Sequence, residues 1–167
     1  MQSSCRRQLN EYAGSMPAER PENAAPDLLA AVVGLVSNWT AAVTQGRIAA
    51  EAGLDIAEGD VRALYLIGQH GAGVRPAELA DELRLSRPTM SKALARLAAA
   101  GLVVKAPSAT DARSVTLSLT DAGEGAYARL VAAGVRMVEE ATAELTAAEI
   151  RTVTGVAVRL LRPNTHG

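Results

Sequence analysis

Residues 85-LSRPTMSKALARLAAAGLVVK-105 decide how this chain folds. Ser86 suits a helix N-cap and Gly101 a helix stop, so the segment between them reads as one short helix. With residues set at about 100° each, Met90, Leu94 and Leu97 share one side, with Ala93 beside them. The opposite side carries Pro88, Ser91, Lys92 and Ala95, edged by Thr89 and Arg96, with Arg87 at the leading end. No carboxylate occurs from Ser86 to Lys105. Solvated helix faces usually mix signs, whereas this one offers only small residues, hydroxyls and cations.

The flanks give that helix a context. Upstream, Pro76 opens a helix over PAELADEL with Glu78 in its first turn, where the helix dipole favours an anion. Its Leu79, Ala80 and Leu83 match the apolar side of the quoted helix. Downstream, LVVKAPS and RSVTLSL are rich in Val and Thr and flank a polar turn at Ala109–Ala112, which predicts a β-hairpin. Two short helices joined tightly and followed by a β-ribbon make a winged helix–turn–helix.

Further out the pattern stays helical. Val32, Val36, Trp39 and Val43 recur at helical spacing from Asp27, predicting a first helix that runs to about Ala52 and stops at Gly53. Asp55 suits the N-cap of a second helix that carries Val61, Leu64, Tyr65 and Leu66 and ends at Gly71-Ala-Gly73. Thr120 caps a long Ala-rich helix of about 26 residues bearing Leu130, Val138, Ala141 and Leu145, which would reach roughly 39 Å. Thr146-Ala-Ala-Glu149 is a capping box that starts a last helix with Ile150, Val153, Ala157 and Leu160, ended by Pro163. The fold class is mainly α with a small β-hairpin wing.

The domain plan follows. Residues 1–26 form a polar tail, in which Met16 is an alternative start, and 163–167 a short C-terminal tail. Residues 27–162 are a single domain. Within it 27–53 and 121–162 are dimerisation helices and 55–119 the winged helix–turn–helix, because the terminal helices carry apolar stripes that soluble monomers avoid exposing.

Hydrophobic residues make up 49% of the 167, enough for a core, yet Phe is absent and aromatics reach 2%, so the core must be packed aliphatic helices. Formal charge is −1 overall, but Arg75 to Leu119 holds seven cations against four anions, a local net of +3. One cysteine, Cys5, excludes an intrachain disulfide framework and fits a reducing cytoplasm. No leader and no membrane span is predicted. No nucleophile–base pair, glycine-rich phosphate loop or cluster of metal ligands appears, so neither an enzyme nor a cofactor or metal is expected.

The one-sign face fits a DNA major groove, which admits one α-helix and offers acceptors on guanine and phosphate. An arginine at a ribbon tip, as Arg113 stands beside Asp111, fits a narrow minor groove. The run ELADELRLSRPTMSKALARLAAAGLVVKAPSATDARSVTLSLTDAG, residues 78–123, resembles the DNA-binding core of MarR-family transcription regulators. It matches the pattern Leu-Ala, Leu-Ser-x-x-Thr, Leu-x-x-x-Gly-Leu-Val, Asp-x-Arg and Leu-Thr-x-x-Gly.

The resemblance implies a homodimer on a pseudo-palindromic operator, a repressor released by a small aromatic or phenolic effector. By position, Ser86, Thr89, Ser91 and Lys92 would meet bases or phosphates, Arg87 and Arg96 the backbone, and Arg113 the minor groove with Asp111 steadying it. Trp39, Tyr65 and His70 lie on the elements that would line an effector pocket, although Trp39 equally suits a core and His70 a helix end. Three departures trim caps or contacts: Arg75 in place of a capping Thr, Lys105 in place of Arg, and Ala112 in place of a second arginine. Two alternatives stay open, a winged helix used for protein contacts and a redox-sensing regulator acting through Cys5, whose neighbours Arg6 and Arg7 would lower its pKa.

Overall fold

The computed structural model describes residues 24–71, 73–107 and 115–161, which form seven helices and one two-stranded sheet. In chain order these are α1 (Ala24–Thr40), α2 (Ala42–Glu51), α3 (Glu58–His70), α4 (Pro76–Leu83), α5 (Arg87–Ala99), β1 (Val103–Pro107), β2 (Val115–Leu119), α6 (Asp121–Ala141) and α7 (Ala147–Leu161). The expected fold class, a mainly helical winged helix–turn–helix, is therefore present. Residues through Ala41 and those from Ala42 onward are two compact units.

In the first unit α1 begins at Ala24, three residues ahead of the expected Asp27, because Pro26 is tolerated in a first helical turn. The single helix expected to reach Ala52 is instead interrupted at Ala41. The Thr40 hydroxyl donates to the Val36 carbonyl at 2.8 Å, and the Ala41 N–H turns back to the Asn38 carbonyl at 3.3 Å. Such back-bonding by a hydroxyl side chain competes with the helical ladder. No residue of α1 is buried, and Leu28, Leu29, Val33, Leu35 and Val36 are all exposed.

The second unit holds the core. Leu64 and Ile67 of α3, Leu79 of α4, Met90, Leu94 and Leu97 of α5, and Leu117 of β2 are almost wholly excluded from solvent. Ile48, Ala49 and Ala52 from the α2 side complete the cluster with Ala126, Leu130 and Ala133 of α6. Every large member is aliphatic or Met, as a chain without Phe requires.

Two boundaries differ from expectation. Asp55 is not the cap of α3. Gly53 at φ 64° lets the Leu54 N–H reach the Ala49 carbonyl at 2.9 Å, Leu54 and Ile56 then pack on the core, and the helix starts only after Ala57. Likewise α6 has 21 residues rather than about 26 and ends at Ala141. Thr142 caps it, its hydroxyl donating to the Val138 carbonyl at 2.8 Å, so Leu145 falls beyond the helix. At 1.5 Å per residue α6 spans roughly 31 Å. Pro163, the N-terminal tail and the hairpin turn lie outside the described residues.

The capping box at Thr146 forms as read. The Thr146 N–H and hydroxyl both donate to Glu149 Oε2 at 2.7 Å, and the Glu149 N–H donates back to Thr146 Oγ1 at 3.3 Å. The Thr146 side-chain and backbone hydrogen bonds hold the Glu149 carboxyl below its usual range. Yet α7, like α1, buries none of its residues; Val153, Val158, Leu160 and Leu161 are exposed.

β1 and β2 pair antiparallel with Val103 opposite Leu119 and Pro107 opposite Val115. A feature absent from the sequence reading anchors this hairpin. Leu117 bridges to Val74, its N–H donating to the Val74 carbonyl at 2.8 Å while the Gly73 N–H donates to the Leu117 carbonyl at 3.1 Å. At the hairpin root the Thr120 hydroxyl accepts from the Gly123 N–H at 3.0 Å and donates to the Gly101 carbonyl at 2.6 Å. A Cβ on Gly123 would fall on the Leu102 carbonyl oxygen, so this position admits only glycine.

Candidate nucleic-acid interface

The helix–turn–helix is α4 and α5. Its first cap is unusual. Arg75 cannot accept a hydrogen bond through its side chain, but Glu78 reaches back to the Arg75 N–H at 3.1 Å and its other oxygen lies 3.9 Å from Arg75 Nη1. Of the two hydrogen bonds of a capping box, the one from the N-cap N–H to Glu78 is thus kept, and the one that a threonine hydroxyl would accept is missing. The turn between the helices passes through Arg84 at φ 54°, ψ 41°, the only non-glycine residue with positive φ among the described residues. The Leu85 N–H then closes on the Ala80 carbonyl at 2.8 Å.

Ser86 is the N-cap of α5, accepting the Thr89 N–H at 3.3 Å, and the two hydroxyls lie 2.8 Å apart. Met90, Ala93, Leu94 and Leu97 are buried, and Gly101 follows the helix at φ 70°. The outer face is accordingly fixed in rotation: Arg87, Pro88, Thr89, Ser91, Lys92, Ala95 and Arg96 are all exposed. The side chains of Arg87, Ser91 and Lys92 make no hydrogen bond or ion pair with other described residues. Ser86 and Thr89 bond each other as a cap yet keep their exposure.

Arg96 has a partner that the sequence reading missed. Its Nε donates to Asp60 Oδ2 at 2.7 Å and its Nη2 to Asp60 Oδ1 at 2.5 Å. The Asp60 side chain is 2% exposed and that of Arg96 54%. These hydrogen bonds, then the charge of Asp60, hold the guanidinium above its ordinary pKa. One signal was available: Asp60 shares the i, i+4, i+7 stripe with Leu64 and Ile67, an odd place for a carboxylate with no partner.

The carboxylates of α4 are also largely engaged. Glu78 serves Arg75, and Glu82 Oε2 lies 2.7 Å from His70 Nε2. His70 therefore ties the end of α3 to α4. Tyr65, five residues earlier and about 140° away around the helix, sits with its ring centroid 5.7 Å from that of Tyr127 on α6. The structure thus directs Tyr65 and His70 to different neighbours. Trp39 belongs to α1 and the other compact unit. Tyr127 itself covers Gly68, where a Cβ would overlap the ring. Asp111 and Arg113, the wing-tip candidates, and Cys5 lie outside the described residues. No group of three or more His, Cys, Asp or Glu is gathered among the described residues, and no single helix there is long and apolar enough to cross a membrane.

A short helix presenting cations and hydroxyls, locked beneath by leucines and followed by an anchored β-ribbon, makes this region a winged helix–turn–helix. Residues 52–114 match the model of the MarR family. Among solved structures, a cysteine-to-serine mutant of MarR from E. coli superposes with TM-score 0.64 at 24% identity, over 80% of this chain and 96% of that one. The same mutant complexed with operator DNA gives 0.57 at 22% identity, over 86% and 100%. A MarR transcriptional regulator from Methanosarcina mazei Go1 gives 0.64 at 17% identity, over 77% and 93%. The fold is therefore similar to that of these MarR structures. No curated protein matches the sequence.

Proposed function

We propose that the protein is a transcription regulator that binds double-stranded DNA as a homodimer, and acts in the cytoplasm as a repressor on a pseudo-palindromic operator. The observation that carries this reading is the exposed, carboxylate-free face of α5, on a fold shared with a MarR protein crystallised on operator DNA. Arg87, Ser91 and Lys92 are the foremost candidate contacts, since their side chains are exposed and uncommitted among the described residues. Ser86, Thr89 and Arg96 join them from the cap and the helix end, with Arg113 and Asp111 at the wing tip.

The dimer is supported by α1 and α7, which bury none of their residues and leave most of their leucines and valines exposed. Soluble chains rarely leave so much apolar helix in water, and a second copy also doubles the phosphate contacts. Release by a small aromatic or phenolic effector is part of the same reading; Trp39, Tyr65 and His70 remain its candidate residues.

The test is a titration of duplex DNA across salt concentrations. Lys92→Ala and Arg113→Ala should each weaken binding of all sequences and lower the slope of log K against log salt by about one per lost phosphate contact. Wild-type affinity and slope in both variants reject the interface.

A further inference from the structure

Asp60 is the only buried charged residue among the described residues, and it is held by a side chain that is half in water. Arg96 spends its Nε edge on that carboxylate, the Nε–H and one Nη2–H meeting the two oxygens. A guanidinium has five N–H donors in a rigid plane. Three therefore remain, two of them on Nη1, and together they form a second fork that no other described residue occupies.

We propose that Asp60 is a positioning residue for DNA binding, holding Arg96 by one edge so that the other edge is offered to a backbone phosphate. This rests on the DNA-binding reading above. Arg96 lies one turn beyond Lys92 on the exposed face of α5. Like charges at that spacing repel and would swing both side chains apart. The Asp60 carboxylate offsets this repulsion and replaces a mobile side chain with a fixed donor, so less rotamer freedom is lost when phosphate binds. The carboxylate is itself secured: it sits in the first turn of α3, where the helix dipole favours an anion. Position and chemistry both demand arginine at residue 96. A lysine reaching Asp60 would spend its point charge there and present no second fork.

The experiment uses the full chain and a fluorescein-labelled mixed-sequence duplex of roughly three helical turns, titrated by anisotropy over a range of salt. Two variants are compared with wild type, each checked for helicity by circular dichroism. The pair Asp60→Asn with Arg96→Gln removes one charge of each sign, leaves net charge unchanged and keeps a hydrogen-bonding pair in place. Arg96→Lys keeps the ion pair and loses the fork. Both should bind about tenfold more weakly at fixed salt, and the double variant should lower the salt slope by about one for each engaged protomer. A merely structural pair would leave the slope alone. Wild-type affinity and slope in a folded double variant overturn the proposal while leaving the DNA-binding reading intact. If the double variant fails to fold, wild-type binding by Arg96→Lys overturns it instead. A wild-type protein that ignores the duplex in dilute buffer overturns the underlying reading, and this proposal with it.

Discussion

The helices of the winged helix–turn–helix and the two end helices use similar residues to opposite effect. α3, α4 and α5 bury Leu64, Ile67, Leu79, Met90, Leu94 and Leu97, each almost entirely. α1 and α7, richer still in Leu and Val, bury nothing, and Leu161 is 83% exposed. Apolar composition therefore does not separate core from surface in this chain. What separates them is whether a neighbour arrives, and for α1 and α7 the proposed neighbour is another copy.

The comparison breaks most visibly through the core. Leu94→Ala should cost about 2–5 kcal/mol in a urea melt, since a well-packed site cannot collapse onto the void. A loss much smaller than this would mean that α5 is held less tightly than its burial indicates. On the other side, Val153→Asp with Leu160→Asp should leave the winged helix–turn–helix folded but weaken self-association at least tenfold, about 1.4 kcal/mol, as read by sedimentation equilibrium. If the variant and wild type sediment alike, the exposed stripe of α7 is not an interface.

Two smaller effects sharpen the contrast. Arg84 holds a left-handed backbone that costs an L-residue roughly 1–2 kcal/mol, and glycine would recover that less its own entropy, roughly 0.5–1 kcal/mol. Arg84→Gly should raise stability by about half a kcal/mol in the same urea melt. The smallest effect concerns α7. The Glu149 carboxyl is depressed in the folded chain by its bonds to Thr146. Its contribution is thus fully present above the ordinary glutamate pKa, about 4.3, and is lost as pH falls through the lower folded value. Helicity measured between pH 5 and 3 (roughly the window of that titration) should fall in wild type and lose this component in Thr146→Ala. An identical profile in both proteins would show that the cap does not govern α7.

Features set by residues a few positions apart were legible without coordinates. Ser86, Gly101, Thr120 and the Thr146–Glu149 box stand where they were read, because caps and stops are local chemistry. Boundaries decided by competition were not legible. The hydroxyl of Thr40 interrupts a helix whose apolar spacing continues, and Thr142 ends α6 although Leu145 keeps its period. Asp55 is a good cap displaced by the packing of Leu54 and Ile56. Pairings across the fold were hidden for a different reason. Asp60 and Arg96 are 36 residues apart, and His70 meets Glu82 only because α3 and α4 fold together. The cationic face itself was legible, since its meaning lies in which residue types it lacks.

The root of the wing has a practical corollary. Thr120 clasps the Gly101 carbonyl by its hydroxyl and the Leu102 carbonyl by its N–H, at 2.6 and 3.1 Å, so both legs of the ribbon are fastened where they leave the helices. Whatever joins the legs at their far end adds only a slowly growing loop-closure entropy. A joining segment of different length can therefore be grafted between Pro107 and Val115 without disturbing the helices beneath.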